Sequence, residues 1–337
     1  MRSRSDTLRV AVVGCGRMGL AHCRRLYEDP RSEIVALTDQ TREVAVDLGQ
    51  RFTPNAVVYD SVDQLFASAE ADAAVICTPT AFHHKHIGKA RRRGWHVLCE
   101  KPLCDRRDDL LELLDLTDDQ NGPLLMVGYQ RRFWSTYRRI RAEITSGRLG
   151  QVKSITSTNT ERWQQTIQGT WRDDPLINVG GFIGDAGSHK IDAIFYTTGL
   201  LPKNVYAVTD RWDSNVEIQC MATAELDEGV PLQLNLIGNS QTFVEDLHIH
   251  CEEADILLRQ GQLLIGRNNR FEELQVDRTE IGPESVSNPI SGFLNTLFNG
   301  AENLAPASCA LPVFDFTQAI LESGRMRGLV TLPRGTF

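Results

Sequence analysis

The sequence has no apolar run long enough to cross a membrane. Within its 337 residues, no stretch approaches the roughly 18–20 apolar residues that a membrane-spanning helix needs. The opening segment Met1–Thr7 is polar, unlike a signal peptide. We therefore expect a cytoplasmic protein without a membrane partner.

The sequence also lacks an excess of positive charge. Its 36 lysines and arginines are outnumbered by 44 aspartates and glutamates, which gives a formal net charge of -8 at pH 7. A surface with this balance does not favour phosphate backbones or anionic lipids. We therefore expect no nucleic-acid partner.

Closely paired cysteines are absent as well. The eight cysteines are scattered without a CxxC pair, a pattern typical of reduced thiols rather than of disulfides or structural zinc. His248, His250 and Cys251 lie in the alternating strand FVEDLHIHCE, where the two histidines share one face. Because no carboxylate or cysteine set was identified beside them, we predict no metal site there.

Strands and helices alternate through the first part of the chain. Apolar runs such as Leu8–Val13 and Ala73–Cys77 are separated by helical patterns, which predicts an α/β fold with a Rossmann-type, doubly wound parallel sheet. Beyond Gln151 the strands lengthen and alternate, which predicts an α+β domain with a large, mostly antiparallel open sheet. We assign residues 1–128 to NAD(P) binding and residues 129–337 to substrate binding and oligomerisation.

A glycine motif follows the first predicted strand. Gly14, Gly16 and Gly19 form a G-x-G-x-x-G pattern that also contains Arg17 and Met18. In such a motif the first glycine permits the tight turn, the second lets the backbone approach a pyrophosphate, and the third allows close helix packing. The phosphates would face free N–H groups and the positive end of the helix dipole. The strand–turn–helix context favours this interpretation over a glycine turn without a ligand.

An acidic residue ends the second predicted strand. Asp39 lies twenty residues after Gly19, where a carboxylate can bind the ribose 2′-OH of NAD and repel the 2′-phosphate of NADP. Arg42 is close in sequence and is able to hold that phosphate instead. The pattern therefore favours NAD and leaves NADP possible.

Polar residues follow three further predicted strands. Ligands of open α/β sheets bind outside the carboxyl ends of the strands, so we expect these residues to flank the dinucleotide. The candidates are Thr78, Pro79, His83, Glu100, Lys101 and Gln130. An exposed surface lysine is the alternative for Lys101, and Arg131 and Arg132 are expected to pair with surface acids.

A second polar group lies in the later part of the chain. Asp185, His189 and Asp192 are spaced i, i+4 and i+7, which predicts one face of a helix beginning near Asp185. Histidine can take a proton near neutral pH, and a neighbouring carboxylate can orient it. An ordinary helix with a polar pair is the alternative.

Taken together, these motifs resemble the glucose–fructose oxidoreductase / inositol dehydrogenase / MocA family. The likeness rests on GxGxxG with its following aspartate, TPxxxH, VLCEKPL and GGxxxDxGxHxxD, in that order. It implies an NAD(P)-dependent dehydrogenase that acts on CH–OH groups of a sugar, a cyclitol or a sugar derivative. It also implies a homodimer or homotetramer formed through the second sheet.

The resemblance further implies catalytic roles. Lys101 would bind the reacting hydroxyl oxygen, His189 would take its proton, and Asp185 would hold His189 or a substrate hydroxyl. Further substrate candidates lie in the polar segment before the predicted helix: Trp163, Trp171 and Arg172. For these three, a packing tryptophan and a solvated arginine are the alternatives.

Two other functions stay compatible with the motifs. One is a glycosidase or lyase that recycles its NAD within each turnover, and the other is an NAD-binding regulatory protein without turnover. The Lys101, Asp185 and His189 set argues against the second, because a pure binder needs no proton acceptor. Net NADH formation distinguishes a dehydrogenase from both.

Overall fold

The computed structural model describes residues 7–116, 122–276 and 286–333. The chain divides into two compact units, the first comprising Met1–Tyr129 and Ser285–Ser308 and the second Gln130–Glu284 and Cys309–Phe337. The sequence-based division had placed residues 285–308 with the second unit. Their place in the first follows from backbone pairing, since the Val127 N–H donates to the Ala305 carbonyl at 2.9 Å.

A six-stranded parallel sheet forms the centre of the first unit. Its strands are β1 (Leu8–Val13), β2 (Ser32–Thr38), β3 (Val57–Tyr59), β4 (Ala73–Ile76), β5 (His96–Cys99) and β6 (Leu125–Val127). They lie in the order β3-β2-β1-β4-β5-β6, which confirms the predicted doubly wound arrangement. Every residue of β4 is buried, as expected for a central parallel strand with both faces covered.

Helices connect these strands. They are α1 (Arg17–Glu28), α2 (Arg42–Phe52), α3 (Val62–Ser68), α4 (His83–Arg92) and α5 (Arg107–Asp115). Each buries part of its surface; in α1 the buried side chains include Cys23 and Leu26. Ser61 caps α3 by accepting a hydrogen bond from the Gln64 N–H at 3.2 Å.

A nine-stranded sheet forms the second unit. Its strands are β7 (Val152–Thr160), β8 (Pro202–Asp210), β9 (Gln219–Leu226), β10 (Pro231–Ile237), β11 (Val244–Cys251), β12 (Asp255–Arg259), β13 (Gln262–Arg267), β14 (Arg270–Glu273) and β15 (Val330–Thr331). The order is β14-β13-β12-β11-β7-β10-β9-β8-β15. Only β7 and β10 pair in parallel among these neighbours, which confirms the predicted large, mostly antiparallel sheet.

Helices cover one face of the second sheet. The remaining helices are α6 (Ser135–Thr145), α7 (Trp163–Ile167), α8 (Gly181–Gly184), α9 (Ala186–Thr198), α10 (Pro289–Asn299), which belongs to the first unit, and α11 (Ala310–Met326). On β8 the side chains of Val205 and Ala207 are buried, whereas those of Tyr206 and Val208 are 44% and 60% exposed. The alternation shows that the opposite face of the sheet is exposed to solvent at β8, among the residues that the structure describes. Within that same part, no helix has both the length and the apolar character to cross a bilayer.

Candidate functional site

The glycine turn between β1 and α1 has the shape that a dinucleotide needs. Gly14 adopts a φ of +92°, and a Cβ there would lie 2.8 Å from the Cys77 carbonyl carbon. A Cβ on Gly19 would lie 2.1 Å from the Gly14 oxygen. At Gly16, by contrast, a Cβ would meet no described atom within 4 Å. The two outer glycines are therefore required by packing, whereas the space at Gly16 fits the approach of a pyrophosphate.

Asp39 joins the end of β2 to this turn. Its Oδ2 accepts a hydrogen bond from the Cys15 N–H at 2.7 Å, and its Oδ1 accepts one from the Thr41 N–H at 2.9 Å. A carboxylate has about four lone-pair positions, so acceptor capacity remains for ribose hydroxyls. The Arg42 Nε lies 2.6 Å from the Asp60 Oδ1 in an exposed ion pair. Asp39 is thus fixed beside the turn, and Arg42 already has an acidic partner.

His83 connects the segments that follow β4 and β5. Its side chain is buried, with Nε2 2.7 Å from the Thr78 carbonyl oxygen and Nδ1 2.8 Å from the Pro102 carbonyl oxygen. Sequence reasoning assigned His83 to the cofactor. The structure shows it holding two backbone segments, which favours a supporting role over direct contact.

Glu100 is also held by the protein itself. Its Oε1 lies 2.7 Å from the Nε2 of buried His22. Burial alone would raise the pKa of Glu100, but the hydrogen bond and charge of His22 bring it below its ordinary value. A Cβ on Gly128 would lie 3.1 Å from the Glu100 carboxyl carbon. Glu100 therefore fixes the backbone that leads into half-buried Lys101.

In the second unit, Asp185 lies between two helices. α8 ends at Gly184 and α9 begins at Ala186, with Asp185 at φ -84° and ψ -86°. Asp185 therefore directly precedes α9, four positions before His189, and is not part of the helix itself. The Asp185 Oδ2 accepts a hydrogen bond from the Arg172 Nε at 2.8 Å. The structure thus brings together two candidates that the sequence analysis treated separately.

Asp192 lies on α9, three residues after His189. It has no exposed surface and accepts hydrogen bonds from Arg132, with Nε at 2.9 Å from Oδ2 and Nη2 at 2.7 Å from Oδ1. The prediction that Arg132 pairs with a surface acid is wrong, because its partner Asp192 is buried. This buried pair ties the 3₁₀ turn Gln130–Phe133 to α9, the helix that carries His189.

A largely buried charged cluster surrounds Glu245, and the sequence pattern does not reveal it. The Arg131 guanidinium donates to both Glu245 oxygens, and the Lys190 Nζ lies 2.7 Å from Oε2. The Tyr137 hydroxyl also donates to this carboxylate. Burial would raise the pKa of Glu245, but Arg131 and then Lys190 lower it to about 2. Arg131 therefore pairs with an acid whose side chain is only 12% exposed, rather than with the expected surface acid.

This cluster predicts a specific loss of stability in acid. The ordinary pKa of a glutamate is about 4.3, so the fold stabilises the ionised form of Glu245. That contribution, on the order of 3 kcal/mol, is complete above about pH 5 and is lost as the pH falls toward 2. In urea unfolding, we expect Glu245→Gln to be less stable than wild type at pH 7. The difference in the free energy of unfolding between the two proteins should narrow as the pH falls.

The exposed carboxylate of Glu272 provides the control for this prediction. Glu272→Gln should unfold like wild type at each pH, because the charge of Glu272 has no buried partner among the described residues. If the difference in the free energy of unfolding between wild type and Glu245→Gln stays constant from pH 7 to pH 3, the stabilising role of ionised Glu245 is contradicted.

The two candidate tryptophans differ in their surroundings. Trp163 begins α7, is 8% exposed and packs against Phe182 with ring centroids 5.4 Å apart, which favours a packing role. Trp171 is half-buried, and the Arg172 guanidinium lies 4.2 Å from its ring centroid. The stacked Trp171–Arg172 pair is thus the better candidate for contact with a polar ligand.

Two family profiles match the chain, one in its first part and one in its second. The profile described as "Oxidoreductase family, NAD-binding Rossmann fold" matches residues 8–129, and the "GFO/IDH/MocA C-terminal domain" matches residues 137–257. The chain belongs to the GFO/IDH/MocA oxidoreductase family. Its glycine turn therefore lies in an NAD-binding domain of that family.

Curated relatives of the family include named dehydrogenases. An uncharacterized oxidoreductase of Schizosaccharomyces pombe is 34% identical over 277 residues, 81% of this chain and 72% of that protein. The D-glucoside 3-dehydrogenase of Escherichia coli is 29% identical over 58% of this chain and 55% of its own length. The inositol 2-dehydrogenase of Rhizobium meliloti is 28% identical over 60% of this chain and 58% of its own length. The matched region thus spans little more than half of the two named dehydrogenases.

Several solved structures share the fold over nearly the whole chain. Levoglucosan dehydrogenase in complex with NADH superimposes with a TM-score of 0.86 at 20% identity, covering 98% of this chain and 100% of that one. The WlbA dehydrogenase from Bordetella pertussis, in complex with NADH and UDP-GlcNAcA, superimposes with a TM-score of 0.82 at 22% identity. The match covers 98% of this chain and 100% of that one. At these identities the likeness establishes the fold.

Proposed function

We propose that the chain is an NAD-dependent dehydrogenase that transfers hydride between nicotinamide and a hydroxyl-bearing carbon of a sugar, cyclitol or sugar derivative. The open space at Gly16, in a turn anchored by Asp39, carries the cofactor part of the proposal. The dehydrogenase names of the curated relatives support the substrate class. The turn, the N-terminus of α1 and Asp39 would hold NAD.

The proposed chemistry divides between the cofactor and two side chains. Bound NAD supplies a hydride acceptor. Lys101 places a positive charge at the hydroxyl oxygen and stabilises the alkoxide that develops as the proton leaves. His189 accepts that proton, as an imidazole can near neutral pH. Asp185 and Arg172, hydrogen-bonded to each other, would bind further hydroxyls of the substrate.

A substrate screen tests this function. The purified chain is incubated with a panel of polyols, sugars and sugar acids, with NAD or with NADP, and absorbance at about 340 nm records reduced cofactor. Net NADH with a member of the panel supports the dehydrogenase. Substrate conversion without net NADH would instead indicate a glycosidase or lyase that recycles NAD. Cofactor binding without any conversion would favour a regulatory protein.

The choice of cofactor gives a separate prediction. Asp39→Ala removes both the ribose acceptor and the bond to the Cys15 N–H, so we expect NAD affinity to fall by about tenfold or more. Arg42→Ala is the matched control, because Arg42 pairs with Asp60, and it should retain NAD affinity. Calorimetric titration of both variants with NAD measures this, and equal affinities would contradict the role of Asp39.

We further propose that copies of the chain associate through the open face of the second sheet, as a homodimer or homotetramer. The exposed apolar side chains Tyr206, Val208 and Met221 (44%, 60% and 53% exposed) lie on that face and support the proposal. Exposed apolar area of this kind is typical of association surfaces. Light scattering gives the mass of the purified protein, and Val208→Lys should lower it if the face is the interface.

A further inference from the structure

The strands β11 and β12 bring two histidines and a carboxylate together in the second unit. His248 and His250 project from the same side of β11, with ring centroids 3.8 Å apart. The antiparallel register places Asp255 of β12 opposite His250. Without a carboxylate partner the sequence predicted no metal site, and strand pairing supplies that carboxylate.

The potential ligand atoms of these three residues lie close together. The Asp255 Oδ1 lies 3.1 Å from the His250 Nδ1, and Oδ2 lies 3.9 Å from the His248 Nε2. One potential ligand atom from each of the three residues lies within 4.8 Å of the others. Ligand atoms bonded at 2.0–2.1 Å to a tetrahedral zinc ion are about 3.3 Å apart. The two separations from Asp255, 3.1 and 3.9 Å, lie on either side of this value.

The His248 ring provides a second observation. Its Nε2 is buried and has no hydrogen-bond partner among the described residues. Buried polar atoms are nearly always partnered, so an unpaired one calls for an explanation such as a bound ion. The neighbouring cation Arg259 donates to the Asp246 Oδ2 at 3.1 Å, so its charge is balanced by a residue outside the set.

We propose that His248, His250 and Asp255 bind one divalent transition-metal ion of the zinc type. Two imidazole nitrogens and one carboxylate oxygen suit zinc and its borderline neighbours better than magnesium or calcium. Three protein ligands leave one tetrahedral position for water. The ion would join β11 to β12, and it is separate from the hydride transfer proposed above.

Metal titration of the untagged, full-length chain tests the site. After treatment with a chelator and its removal, Zn²⁺ is added in a calorimeter, and Co²⁺ is added while the visible spectrum is recorded. We expect about one equivalent of zinc per chain and the intense cobalt bands of a four-coordinate site. Uptake well below one equivalent would overturn the proposal.

Variants localise the binding. Each of His248→Ala, His250→Ala and the isosteric Asp255→Asn should lower zinc affinity by at least about tenfold to 100-fold. A loss of that size is typical when only a residue that hydrogen-bonds to a metal ligand is removed, and these residues are proposed as the ligands themselves. His84→Ala is the control, since the His84 Nε2 lies 3.1 Å from the Glu112 Oε2 in the first unit, and this variant should bind zinc like wild type. Wild-type affinity in His248→Ala or Asp255→Asn, with the fold confirmed by circular dichroism, would overturn the site.

Discussion

Replacing Lys101 by alanine should lower turnover by about 10²–10³-fold, the loss typical when a group that stabilises developing negative charge is removed. NAD affinity should be retained, because the glycine turn and Asp39 are unchanged. Steady-state kinetics with the substrate found in the screen, together with calorimetric titration of NAD, measures both quantities.

Two further variants make this result specific. Lys85→Ala removes an exposed lysine of α4 and should leave turnover unchanged. Lys101→Arg keeps the charge but replaces a compact ammonium by a planar guanidinium, so it should recover only part of the activity. Full turnover in Lys101→Ala would refute the proposed role of this lysine.

The second large effect is expected on stability. Asp192→Ala leaves the Arg132 guanidinium buried without its carboxylate, and breaking a buried pair in this way costs about 3–5 kcal/mol. Urea unfolding at neutral pH measures the loss. Because the pair ties the Gln130–Phe133 turn to α9, the variant should also lose turnover even where it is folded.

A double variant separates charge burial from packing. Arg132→Met combined with Asp192→Leu replaces both charges by apolar groups, which is often neutral or stabilising for a buried pair. We expect it to be more stable than Asp192→Ala, and a double-mutant cycle gives the coupling between the two positions. A double variant as unstable as the sum of its single changes would show that the ion pair is not the source of the effect.

Local patterns in the sequence predicted the first sheet and its turn closely. The apolar run Leu8–Val13 is β1, because an apolar segment bounded by polar residues and a glycine has few other structures available. Gly14 and Gly19 lie where their missing side chains are needed. Such features depend on neighbouring residues, so the sequence displays them directly.

Features that depend on distant partners were predicted poorly. Arg131 and Arg132 are adjacent in sequence, yet one pairs with Glu245 and the other with Asp192. Asp255 meets His250 only through the register of two strands. Partner choice of this kind is decided by packing and strand order, and neither charge nor spacing reveals it.

The return of residues 285–308 to the first unit has a consequence for synthesis on the ribosome. Domains commonly fold one after another as the chain emerges. Here the nucleotide-binding unit lacks the Ala305 carbonyl that pairs with β6 until the segment carrying α10 has been made, after most of the second unit. Its folding should therefore finish late, and a fragment ending at Tyr129 should be an incomplete domain.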